Sequence, residues 1–143
     1  TNIGRRTRSM AFDPTNSNII YAGSVSGGIW KTTNGGTSWT STSDFASNLV
    51  IGSIVIDPTN SNIIYAGTGE GYFNADALQG IGVLKSTDGG ANWAVLNNFA
   101  TPNAQVGYFF ITKLLIRPDN VIVLYAGMLG GIWKTTNAGT SWT

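Results

Sequence analysis

Histidine and cysteine are both absent from this chain of 143 residues. Without Cys there is no disulfide framework, no thiolate nucleophile and no Cys-based metal site. Without His the commonest general base and the commonest metal ligand are missing, which excludes Ser-His-Asp and Cys-His mechanisms within the chain. Charge is scarce too: Asp, Glu, Lys and Arg are 10% of the residues, with a formal net charge of +1. Such a chain sets up no field to gather nucleic acid, so nucleic acid is not an expected partner. No apolar run reaches transmembrane length, and no membrane insertion is expected. No metal and no cofactor are expected. The hydrophobic fraction, 42%, is ordinary for a folded domain. The low charge and the Thr-, Asn- and Gly-rich texture point to a secreted or cell-surface protein.

An internal repeat decides the architecture. The run from Asp13 to Gly23 recurs residue for residue from Asp57 to Gly67, and a looser copy runs from Arg117 to Gly127. The run from Gly28 to Thr40 recurs from Gly131 to Thr143, with a middle copy from Gly82 to Trp93. Trp39, Trp93 and Trp142 are therefore equivalent, spaced by 54 and 49 residues. Each copy holds four short apolar runs, in the first copy Ser9–Phe12, Ile19–Gly23, Gly28–Thr33 and Ser38–Ser41. Short runs rich in Ile, Val, Tyr and Trp read as strands. Asp-Pro with Asn and Ser separates the first run from the second. Asn-Gly-Gly or Asp-Gly-Gly separates the third from the fourth, where φ > 0 is needed. Four antiparallel strands per unit of this length is a propeller blade. A β-sandwich is the alternative, but it requires no internal repeat. The expected fold is an all-β partial propeller over residues 1–143. Its three four-stranded blades lie at about 5–44, 51–98 and 109–143.

Thr32-x-Asn34-x-Gly36-x-x-Trp39, Ser86-x-Asp88-x-Gly90-x-x-Trp93 and Thr135-x-Asn137-x-Gly139-x-x-Trp142 resemble the Asp box, S/T-x-D-x-G-x-x-W. That motif is the repeat of neuraminidase-like, sortilin-type and xyloglucanase-type propellers. The resemblance covers nearly the whole chain. It implies fold far more sharply than function, because the fold hosts enzymes and binders alike. The Ile-Tyr-Ala-Gly-Ser-Val-Ser-Gly-Gly-Ile-Trp-Lys segment is also similar to exported proteins of Bacteroidota, which implies export, with type IX secretion as the suggested route. Physically, the Asn or Asp of each box should cap its turn through backbone N–H groups. The Gly accepts a conformation other residues resist, and the Trp should be buried equally in all three blades. A thrice-repeated feature reads as structural, so Asn34, Asp88 and Asn137 are not taken as a ligand or metal site. Lys31, Lys85 and Lys134 recur at one position and read as solvated or paired strand residues.

Subtracting the repeat isolates the unusual residues. Glu70 and Asp76 lie in an insertion of ten residues between the second and third strands of blade two. A second insertion, within 97–110, separates blades two and three. In an antiparallel blade these two connections leave on one face, opposite the Asp-box turns. The resemblance implies that this face is the ligand-binding one, and loops on a rigid scaffold are where function concentrates. The ligand-binding candidates are Glu70, Tyr72, Phe73, Asn74, Asp76 and Tyr108. Their aromatic and polar mixture suits a glycan or a peptide. The plainer reading is that these loops only cover the top of the propeller.

A glycosidase needs two carboxylates at a set separation. Glu70 and Asp76 are the local pair should the protein be an enzyme, and no complete catalytic set is legible. The expected function is therefore non-catalytic binding or scaffolding within a larger protein, with a fragment of a propeller glycoside hydrolase, sialidase-like or xyloglucanase-like, as the alternative. Three blades do not close a ring. The expected partners are the remaining blades of a parent chain or another protein.

Overall fold

The computed structural model describes residues 6–42, 50–71, 78–99, 110–128 and 130–143. They form eleven strands and no helix. The first sheet holds β1 (Thr7–Phe12), β2 (Ile20–Ser24), β3 (Gly28–Thr32) and β4 (Thr40–Ser41), in that order. The second holds β5 (Ile51–Asp57), β6 (Asn60–Thr68), β7 (Val83–Ser86) and β8 (Ala94–Leu96). The third holds β9 (Ile111–Ile116), β10 (Leu124–Met128) and β11 (Gly131–Thr135). All neighbouring strands are antiparallel. Thr143 exchanges both backbone hydrogen bonds with Lys134, at 2.8 and 2.9 Å, where the other blades have their fourth strand. β1 packs beside β5 and β5 beside β9, so the first strands form the inner edge from which the sheets fan out. The all-β propeller-blade architecture expected from the repeat is borne out.

The turns explain why the strands stop where they do. In blade one the Thr32 hydroxyl donates to Asn34 Oδ1 (2.9 Å) and accepts from the Gly36 N–H (3.0 Å), while the Ser38 N–H donates to Asn34 Oδ1 (2.9 Å). Ser86, Asp88, Gly90 and Asn92 repeat this arrangement in blade two. Thr135, Asn137, Gly139 and Ser141 repeat it in blade three. The Asn-for-Asp exchange is matched across the turn. The Asn34 and Asn137 amides donate to the Ser38 and Ser141 hydroxyls, whereas Asp88 accepts from the Asn92 amide. Asp88 is held down at about 2, first by the Asn92 side-chain and backbone donors and then by the Ser86 hydroxyl. The residue after this position takes positive φ in all three turns: Gly35 at 65°, Gly89 at 68° and Ala138 at 54°. A Cβ is disfavoured there. Replacing Ala138 with Gly is expected to raise stability by about 1 kcal/mol, read as an increased midpoint in urea unfolding. An unchanged or lower midpoint would contradict the strain argument.

Packing between sheets runs through two apolar layers. Tyr21, Ile29, Ile54, Ile56, Ile64 and Leu84 fill the layer between blades one and two. Tyr65, Val83, Leu114, Leu124, Phe99 and Trp142 belong to the layer between blades two and three. Gly23 and Gly67 make room for it. A Cβ on Gly23 would stand 2.4 Å from Ile51 Cγ2, and one on Gly67 would stand 2.5 Å from Ile111 Cγ2.

A polar latch accompanies each layer. Tyr21 and Lys31 face each other across β2 and β3, and both donate to the Gly89 carbonyl in the turn of blade two, at 2.8 and 2.9 Å. Tyr65 and Lys85 reach the Ala138 carbonyl of blade three in the same way, both at 3.4 Å. Each ammonium lies over its tyrosine ring, 5.2 and 5.3 Å from the centroid. Lys31 and Lys85 are thus interblade ties.

Burial pushes the Tyr65 hydroxyl up to about 12, aided by the Asp57 charge. A phenol whose folded pKa lies above its unfolded value near 10 stabilises the fold fully below pH 10 and loses that contribution as pH rises toward 12. Stability should therefore fall between pH 10 and 12, and Tyr65→Phe should flatten that fall. The same slope in the variant would assign it to other groups.

The three Asp-box tryptophans are not buried equally, which corrects the expectation from the repeat. Trp142 is fully buried, while Trp39 and Trp93 are half-buried. The cause is the preceding blade. Phe99, in the segment after β8, stacks on Trp142 with centroids 5.2 Å apart. Trp93 leans on the layer beside blade one. Trp39 belongs to neither apolar layer among the described residues.

Candidate functional site at the inner rim of the blades

The turns between first and second strands and those between third and fourth strands share one face. The Gly35, Gly89 and Ala138 N–H groups donate to the Asn18, Asn62 and Ile122 carbonyls there, at 3.0, 3.0 and 2.9 Å. The opposite face carries the neck of the blade-two insertion, pinned at both ends. The Thr68 hydroxyl donates to the Gly82 carbonyl (2.6 Å) and accepts from the Ile81 and Gly82 N–H groups (2.8 and 3.1 Å). The Glu70 N–H donates to the Leu78 carbonyl at 2.9 Å, and Gly69 N–H to the Val50 carbonyl at 2.9 Å. A Cβ on Gly71 would meet Thr112 Cγ2 at 2.5 Å, so the neck is also pressed against blade three.

Glu70 is the centre of this rim. Its side chain is 1% exposed, and it pairs with Arg8 of β1, itself 22% exposed. Arg6, two residues before Arg8 and mostly exposed, reaches the same carboxylate oxygen at 3.5 Å. The period of two along a strand places Arg6 and Arg8 on one side. A carboxylate this deep requires such partners, since burying it unpaired costs several kcal/mol. The pair therefore ties the insertion of blade two to the inner strand of blade one.

Beside it, a cavity of about 410 Å³ opens along the inner strands. Arg8 and Lys113 supply two cations to its wall, and Ser9, Ser53 and Thr112 supply hydroxyls. Ser53 Oγ also accepts from the Leu114 N–H at 3.0 Å, which orients it. A larger cavity, about 610 Å³, lies on the other face under the blade-two turn, lined by Lys31, Thr42, Asp88, Asn92 and Trp93. Its polar groups are already engaged in the turn and the latch, so the inner rim is the better candidate. Among the described residues no group of three potential metal ligands occurs, and no helix is long and apolar enough to cross a membrane.

Of the residues singled out from the sequence, Glu70 sits at this rim. Tyr72, Phe73, Asn74, Asp76 and Tyr108 lie outside the described residues. Sequence reasoning did not assign Lys113 or pair Arg8 with Glu70. Both cations were open to detection by the repeat. Lys113 stands where blades one and two have Ser9 and Ser53, and Arg8 where the others have Gly52 and Thr112.

No protein-family model matches the chain. It is 30% identical to a xyloglucanase of Hypocrea jecorina (strain QM6a) over an alignment covering 93% of this chain and 18% of that enzyme. Among solved structures, an ancestral GH74 enzyme matches with a TM-score of 0.81 and 28% identity, over 99% of this chain and 18% of the other. YCF48 from Cyanidioschyzon merolae shares the fold, with a TM-score of 0.65 and 18% identity over 40% of its chain. The chain thus spans about a fifth of the xyloglucanase it matches. It is a set of propeller blades related to those of glycoside hydrolases.

Proposed function

We propose that this chain is a carbohydrate-binding segment of a secreted propeller, with the inner rim formed by the first strands of all three blades as one wall of the binding groove. The observation that carries the reading is the cavity beside the Arg8–Glu70 pair, where hydroxyls of Ser9, Ser53 and Thr112 and the Lys113 cation converge on one space. Such groups hydrogen-bond sugar hydroxyls from fixed strands, and the ion pair holds the adjoining loop in place. The similarity to a xyloglucanase supports a xyloglucan-type oligosaccharide as the ligand class. The repeated turns act as Asp boxes that stiffen the scaffold, and export of a Bacteroidota-type protein suits the composition. Calorimetric titration with xyloglucan oligosaccharides tests this. Lys113→Ala should weaken binding about tenfold while leaving the melting curve in place. Undetectable binding, or binding indifferent to Lys113, would refute the reading.

The second reading, a piece of a hydrolase, is favoured by the 30% identity to an enzyme. It requires two free carboxylates. Glu70 is engaged by two arginines, and its role as an acid or base would need them to release it. Loss of xyloglucan turnover in Glu70→Gln with binding retained would establish this reading over the first.

A further inference from the structure

The hydroxyls that wall the inner-rim cavity narrow the kind of sugar it selects. A hydroxyl has one proton to donate. Ser9 spends its proton on the Ile51 carbonyl at 3.4 Å, and Thr112 spends its own on the Gly127 carbonyl at 3.2 Å. Both oxygens can still accept from a ligand hydroxyl. Ser53 is the reverse case: its oxygen accepts from the Leu114 N–H at 3.0 Å, and its proton is left to donate. Apart from that proton, the side-chain donors in the wall are the Arg8 guanidinium and the Lys113 ammonium. The wall therefore offers cationic donors, and among the described residues no carboxylate lines it.

Charge is divided between the two faces in the same sense. Asp13, Asp57, Asp88 and Asp119 all stand in turns of the Asp-box face, where backbone N–H groups or Arg117 hold them. Among the described residues Glu70 is the one carboxylate at the rim, and it is buried behind Arg8. Arg6, Arg8 and Lys113 bring three positive charges there, and Glu70 answers one, which leaves an excess of two. The blade itself demands neither of the two cations in the wall. Gly52 and Thr112 stand where blade one has Arg8, and Ser9 and Ser53 stand where blade three has Lys113. Both departures from the repeat line a single cavity.

We propose, on the reading of this rim as a carbohydrate site, that it selects an acidic oligosaccharide. A uronic-acid carboxylate of the ligand accepts from Lys113 and Arg8, while neighbouring sugar hydroxyls donate to Ser9 and Thr112. Hydrogen bonds with an ionised partner are about twice as strong as neutral ones, so the carboxylate gains more from this wall than a hydroxymethyl group in its place. It also balances the positive charge that Glu70 leaves unanswered. A xyloglucan-type chain bearing an acidic substituent fits the wall in both respects.

Calorimetric titration of the full chain tests this with one pair of ligands: xyloglucan oligosaccharides before and after oxidation of their primary alcohols to uronic carboxylates. The oxidised ligand should bind about tenfold more tightly at low ionic strength, and the preference should shrink as salt is raised. Lys113→Gln should bring the ratio of the two affinities toward one. Lys134→Gln removes the same charge from β11, outside the cavity wall, and should keep the ratio. Equal affinity for the two ligands overturns the acidic selectivity while the carbohydrate reading stands. A preference that Lys113→Gln leaves intact, or that Lys134→Gln lowers as much, does the same. Binding of neither ligand refutes the carbohydrate reading itself, and the selectivity with it.

Discussion

Trp142→Ala is expected to lower the free energy of unfolding by about 3–5 kcal/mol, the usual cost of removing a large aromatic from a core. Trp142 is fully buried and stacks on Phe99, and a Cβ added at nearby Gly139 would stand 2.5 Å from Leu96 Cδ1 of blade two. Loss of Trp142 opens a cavity in the layer joining blades two and three, and strands on both sides limit how far that cavity collapses. The same change at Trp39 should cost far less, within about 1 kcal/mol, because that ring lies outside both apolar layers. Chemical unfolding of the two variants side by side measures the contrast. Equal losses would mean that the box Trp acts through its own hairpin, and that the neighbouring blade contributes nothing.

The second large effect concerns the inner rim. Arg8→Met removes the closer cation from a carboxylate that is 1% exposed, leaving Glu70 with Arg6 at 3.5 Å. Because Arg6 is mostly solvated, its attraction is screened and replaces little of what is lost. Destabilisation of about 3 kcal/mol is expected, as when one partner of a buried pair is deleted. The double variant Arg8→Met/Glu70→Leu should recover much of it, since no buried charge is then left unpaired. If the single and double variants unfold at the same denaturant concentration, the carboxylate is hydrated and the pair does not tie blade one to blade two.

The chain's order of residues determined the blades. Three registers of Thr/Ser-x-Asn/Asp-x-Gly-x-x-Trp define where each third strand turns back, because the hydroxyl, the amide or carboxylate and the positive-φ residue satisfy one another within eight residues. Local chemistry of that kind reads directly from sequence. The inserted residues after Glu70 were equally visible, as a change in repeat spacing.

What only the tertiary structure decided is whatever one blade does to the next. Equivalent tryptophans differ in burial because Phe99 covers only one of them. Lys31 and Lys85 are ties, since each finds a backbone carbonyl in the following turn, an acceptor that every residue carries and no side-chain pattern marks. Arg8 and Glu70 stand 62 residues apart and meet because β1 and β6 belong to neighbouring sheets at one rim. The repeat dictates each sheet through contacts a few residues long. Pairing between sheets depends on distances that close only once the sheets fan around a common inner edge.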